Sequence, residues 1–105
     1  MASKYVTVAK TTDIHPGLVK CVEINDYRLA ICNVGGTFYC IENTCTHDGG
    51  PLDQGTLQGE TVECPRHGAR FNVSDGKVVR MPAVSPVETF PVKIEGDNIR
   101  VELDL

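Results

Sequence analysis

Two short stretches hold residues able to bind a transition metal. They are Cys45-Thr46-His47 and Cys64-Pro65-Arg66-His67, with sixteen residues between His47 and Cys64. Each offers one thiolate and one imidazole, the soft sulfur and nitrogen donors that zinc and iron prefer. Glycine and proline flank both, at Gly49-Gly50-Pro51 and at Gly68. Such backbone bends sharply and lets chain segments approach closely. Two chemistries suit two Cys and two His. One is a structural zinc ion in a tetrahedron. The other is a two-iron, two-sulfide centre in which one iron takes both thiolates and the other both imidazoles. Zinc sites usually group like ligands, Cys with Cys and His with His. Here each motif mixes the two, so each loop can supply one ligand to each iron. The ligand types by themselves leave both chemistries open.

The elements that must aim these residues read as short β-strands. Lys4–Ala9, Leu18–Ile24, Arg28–Val34 and Phe38–Glu42 are rich in Val, Ile, Tyr and Phe. Asn25-Asp26 and Gly35-Gly36 punctuate successive runs as hairpin turns do. Gly35-Gly36 is the stronger signal, since a type I′ turn needs positive φ at both central residues. Residues 43–59 contain four glycines and a proline and predict one long loop. Short strands are expected at Thr61–Glu63, Ala69–Val73 and Lys77–Val79, the last two joined through Ser74-Asp75-Gly76. Glu88–Ile94 and Ile99–Leu103 predict a terminal hairpin. No segment carries a 3.6-residue apolar period over three turns. The fold class expected is all-β, an antiparallel sandwich or barrel with a small subdomain formed by the two motif loops.

Composition bounds the partners. The chain has 105 residues, the size of one domain, with 41% hydrophobic and 23% charged residues. Ten Lys and Arg against fourteen Asp and Glu give a net charge of −4. That balance, with no basic run, argues against nucleic acid and against an anionic membrane surface. No apolar run approaches the roughly 20 residues of a membrane helix. The first residues, Met1 to Val8, alternate like a strand and do not resemble a signal peptide. A cytoplasmic location is the expectation. Five cysteines in a reducing compartment read as thiols or metal ligands.

Cys45-Thr46-His47 with Cys64-Pro65-Arg66-His67-Gly68 resembles the Rieske signature, Cys-x-His and Cys-x2-His about sixteen residues apart. The remainder of the chain is similar to small Rieske ferredoxins from end to end. The resemblance implies one [2Fe–2S] cluster per chain, with Cys45 and Cys64 on an inner iron and His47 and His67 on an outer iron near the surface. It implies a third loop covering the cluster, for which Arg80-Met81-Pro82-Ala83 is the candidate. It also implies an electron shuttle rather than an enzyme: a monomer passing electrons from a flavin-containing reductase to a terminal oxygenase, often one that dihydroxylates aromatic rings. The docking rim would be Gly49, Gly50, Pro51 and Pro82. Respiratory Rieske proteins carry a further Cys in each loop, joined as a disulfide. Gly50 and Arg66 stand at the matching positions here, so that bridge is absent. The Ser and Tyr that donate hydrogen bonds near the cluster in those proteins are matched by Ala69 and Phe71. Fewer donors to sulfur lower the potential, so the expectation is the low end of the Rieske range of about −150 to +300 mV.

Two other functions stay open on the sequence. One is a Rieske-like small subunit of an assimilatory nitrite reductase; the other is a zinc-stabilised interaction module. Cys21, Cys32 and Cys40 sit in strand-like apolar runs and read as small core residues. His15, before Pro16-Gly17, reads as a surface histidine. Asp48, Asp53, Glu60 and Glu63 lie near the motifs and either steer a basic partner or form a solvated face. Arg66 and Arg70 either meet a partner's carboxylates or offset that local negative charge.

Overall fold

The computed structural model describes residues 3–46, 49–81, 83 and 85–104. Where β-branched and aromatic residues alternate between turn signals, strands form. They are β1 (Ser3–Lys10), β2 (Val19–Ile24), β3 (Tyr27–Val34), β4 (Thr37–Glu42), β5 (Thr56–Gln58), β6 (Thr61–Glu63), β7 (Arg70–Asn72), β8 (Val78–Arg80), β9 (Thr89–Phe90), β10 (Val92–Glu95) and β11 (Asn98–Asp104). Helical structure among the described residues is confined to two 3₁₀ turns, Thr11–Asp13 and Leu52–Gln54.

The strands make three antiparallel sheets: β1-β11-β10, β2-β3-β4-β9 and β5-β6-β7-β8. The β3–β4 hairpin closes through Gly35-Gly36, with φ of 59° and 98° and Val34 opposite Thr37. The glycine pair thus does what its sequence signal predicted. The second sheet is the middle layer. Leu29, Ile31 and Cys40 on one of its faces pack with Ile99, Val101 and Leu103 of β11. Ala30, Cys32 and Ile41 on the opposite face pack with Leu52, Val62, Phe71 and Val73. The second of these cores also holds Cys45 and Cys64. Complete burial of Phe71 contributes roughly 1.5–3 kcal/mol relative to leaving it exposed.

Two sequence expectations need correction. The expected 43–59 loop contains the turn Leu52–Gln54 and the strand β5, which pairs with β6 from Thr56↔Glu63 to Gln58↔Thr61. Glycine content hid a three-residue strand whose stability comes from its partner. The expected strand Glu88–Ile94 is broken at Pro91. Thr89 and Phe90 join β4, whereas Val92–Glu95 turn away to pair with β11. Proline has no N–H for a ladder, so the chain changes sheets there.

Candidate metal centre

The two motif loops share one backbone design. The Cys45 N–H donates to Gly50 O at 2.8 Å, and the Cys64 N–H donates to Ala69 O at 2.7 Å. Four residues on from each cysteine, a glycine N–H turns back: Gly49 to Cys45 O at 2.7 Å, Gly68 to Cys64 O at 3.1 Å. Both glycines are left-handed, with φ of 77° and 79°. No atom lies near where a Cβ would stand on either, so it is the backbone conformation, not crowding, that favours glycine. Two matched loops therefore present their cysteines in the same way. Each thiol is 1% exposed, inside one hydrophobic core, while His67 is exposed at the tip of the second loop. His47, the remaining expected ligand, lies outside the described residues, as do Asp48 and Pro82.

The surrounding segments fix these loops. Just after β4 comes Asn43, which is fully buried. Its backbone N–H donates to Arg28 O at 2.8 Å. Its side chain grips Asp53 twice: Asn43 Nδ2 donates to Asp53 Oδ1 at 2.7 Å, and the Asp53 N–H donates to Asn43 Oδ1 at 2.8 Å. A contact to the first loop comes from just beyond the Arg80–Ala83 segment expected to cover the site. Thr46 Oγ1 donates to Ser85 O at 2.6 Å, and Ala83 is buried in the core that holds both cysteines. Farther along, the Val87 N–H donates to Gly76 O at 2.9 Å. A Cβ on Gly76 would lie 2.1 Å from Val87 O, so only glycine permits this approach. Arg80 and Met81 are exposed.

Among the rim residues, Gly49 is exposed, Pro51 is half-buried, and Gly50 is buried with its carbonyl turned to Cys45. Asp53 is committed to Asn43, and Glu63 to Arg70, whose Nε and Nη2 both lie 2.7 Å from Glu63 Oε1. Arg70 thus offsets local negative charge, one of its two expected roles. Ala69 and Phe71 are both fully buried and bring no hydroxyl to the site. Cys32 and Cys40 are core residues, as expected, and Cys21 is half-buried. Burial pushes the Cys32 thiol up from 9.0 to about 12. Burial, and then the neighbouring Cys32, raise Cys40 as well. A thiol held protonated is a poor metal ligand. His15 is exposed. All five cysteines, each among the described residues, are outside any disulfide.

Among the described residues no three potential ligands stand together as a closed metal site, but the donors present are of the chemical types a [2Fe–2S] centre would use. Two thiols lie in a dry interior, on loops that bend alike, and an imidazole of the second motif stands toward solvent. Sequence reasoning found the motifs but missed Asn43 and Gly55, and read Gly76 only as a turn residue. A polar residue closing an apolar strand, and glycines away from turn pairs, were the available signals.

Comparison with known proteins agrees. The family model described as "Rieske [2Fe-2S] domain" matches residues 4–91. The chain is 38% identical over 97 residues to the ferredoxin component of biphenyl 2,3-dioxygenase from Rhodococcus jostii (strain RHA1), covering 92% of this chain and 91% of that protein. It is 38% identical over 105 residues to the ferredoxin component of the naphthalene 1,2-dioxygenase system of Pseudomonas putida, covering 100% and 99%. A chain in the solved complex of reduced oxygenase and oxidized ferredoxin of carbazole 1,9a-dioxygenase superposes with a TM-score of 0.87 at 36% identity, over 92% of this chain and 91% of that one. A chain named "putative NADH-dependent nitrite reductase small subunit" from Mycobacterium tuberculosis superposes with a TM-score of 0.86 at 19% identity, over 100% of this chain and 99% of that one, a likeness of fold alone.

Proposed function

The chain belongs to the Rieske [2Fe-2S] domain family, and from that membership we propose that it is a ferredoxin carrying single electrons from a flavin-containing reductase to the terminal oxygenase of an aromatic-ring dioxygenase system. It is an electron-transfer component and not itself an enzyme. The observation that carries this reading is the pair of matched loops, which bury Cys45 and Cys64 while His67 stands at the surface. When bound, the cluster supplies reversible one-electron storage. The chain's own residues do the rest. Cys45 and Cys64 would hold one iron from inside the core, and His47 and His67 would hold the other. Leu52, Phe71, Val73 and Ala83 keep water from the thiolate side. The imidazole of His67 lies between the interior and a docked partner, giving the electron a short exit. Of the expected docking rim, exposed Gly49 and half-buried Pro51 would meet a partner around that exit, small and apolar as a transient redox contact requires.

No helix among the described residues is long and apolar enough to cross a membrane. With the expected reducing environment, this supports a cytoplasmic carrier.

Visible and paramagnetic-resonance spectra before and after dithionite test the reading, together with iron and acid-labile sulfide analysis. Two irons and two sulfides per chain and a rhombic reduced signal are expected, and His67→Cys abolishes that signal. A colourless, zinc-loaded protein would overturn the assignment.

A further inference from the structure

A side-chain pair ties the base of the first motif loop to a turn that runs close to the second. Asn43 stands two residues before Cys45, and Glu63 one residue before Cys64. Between them in space runs the turn Leu52–Gln54 with Gly55. Asp53 is bound to Asn43 by two hydrogen bonds of 2.7 and 2.8 Å, and its other carboxylate oxygen accepts from Gln54 Nε2 at 3.0 Å. Two residues later, the Gly55 backbone meets the Glu63 carbonyl so closely that a Cβ would lie 1.8 Å from that oxygen. Leu52, fully buried, anchors the same turn in the core that holds both cysteines. The Gly55 N–H closes the turn on Leu52 O at 3.0 Å.

From these contacts we propose that the Leu52–Gly55 turn is a strut that sets the separation of the two ligand loops, with Asn43 and Asp53 as positioning residues of the centre. The inference rests on the Rieske reading above. A loop held only by its own turn wanders, whereas a two-loop cluster needs both arms at fixed spacing. The strut supplies a short route between the arms: Cys45, Asn43, Asp53, Gly55, Glu63, Cys64. Along the chain the same cysteines are far apart. Asn43 is buried with both its amide oxygen and its amide nitrogen engaged, so its cost of burial is offset only while Asp53 stays in place.

Two variants of the cluster-loaded protein separate a clamp from a charge. Asp53→Asn keeps an oxygen to accept from Asn43 Nδ2, and keeps the backbone donor, but removes the charge. Asp53→Ala removes the side-chain bond. The expected result is that D53A releases iron to a chelator on the order of 10-fold faster than the unsubstituted protein, the range seen when the groups supporting metal ligands are lost. D53A also shifts the g-values of the reduced signal and speeds amide exchange at Cys45 and Gly49, while D53N matches the unsubstituted protein in all three. If D53A does not accumulate, Asp53→Ser, too short to span the gap, is read in the same way. Release and g-values unchanged in D53A would overturn the strut. So would D53N behaving like D53A, since charge and not the clamp would then be responsible. Absence of a Rieske signal in the unsubstituted protein would instead count against the family-based function.

Discussion

At the scale of single residues, the contrast between a buried thiol and an exposed imidazole three positions later organises the site. The thiols sit in a core of largely apolar side chains. Ala69 and Phe71 are fully buried, so neither a side-chain O–H nor a bulk water stands where those side chains lie. Introducing Ala69→Ser or Phe71→Tyr places a hydroxyl that must find an acceptor or cost about 1–3 kcal/mol. Cluster or cysteine sulfur is the acceptor expected. Each variant should raise the reduction potential from the low end of the range of about −150 to +300 mV, measured by redox titration followed by paramagnetic resonance. The non-ligand thiols make a different prediction. Cys32 has its folded pKa raised from 9.0 to about 12 by burial. Below pH 9 both folded and unfolded states keep the proton, so Cys32 adds no pH dependence. Between pH 9 and about 12 the unfolded state loses its proton first and binds fewer protons than the folded state. Stability therefore falls with rising pH, by about 1.4 kcal/mol per pH unit for this thiol. Urea midpoints from pH 8 to 10.5 should decline more steeply in the unsubstituted protein than in Cys32→Ala.

At the scale of elements, the strands that flank strong turns were legible and the pieces made only by pairing were not. Gly35-Gly36 announced a hairpin, and the structure realises it with left-handed φ at both residues. The Cys-x-His and Cys-x2-His loops were likewise visible, because their spacing is local. By contrast β5 is three residues long and exists through its ladder with β6. The grip of Asn43 on Asp53 spans ten positions and forms only when the loop closes, so no local pattern encodes it. Pairing of β1 with β11 joins the two ends of the described chain and is equally invisible in a window of neighbouring residues. Gly76 shows how a glycine's context sets its importance. It has φ of 77° and would bring a Cβ within 2.1 Å of Val87 O. Gly59, with φ of 58°, has open space around it. Gly59→Ala should cost about 1–2 kcal/mol from the backbone conformation alone. Gly76→Ala should cost clearly more and loosen the segment that carries Ala83 and Ser85. Chemical denaturation of the pair checks the difference; equal losses would mean that the close approach at Val87 relaxes freely.

At the scale of the whole molecule, three sheets enclose two cores, and the motif cysteines belong to only one of them. Metal removal should therefore act unevenly. In cluster-free protein, hydrogen exchange should quicken across β5 to β8 and the two loops, while β1, β10 and β11 keep their protection. Uniform loss of protection would show that the two cores do not respond separately. Both β3 and β4 lie between them; in β3, Leu29 and Ile31 face one core and Ala30 and Cys32 the other, all four with no exposed surface. Strands buried on both faces read as unbroken apolar runs. Leu29-Ala30-Ile31-Cys32 is a party wall with tenants on both sides. A side chain that grows or shrinks there disturbs a neighbour that cannot move away. In a saturation scan of this protein, that four-residue stretch should tolerate as little change as the ligands do, though it supplies none of them.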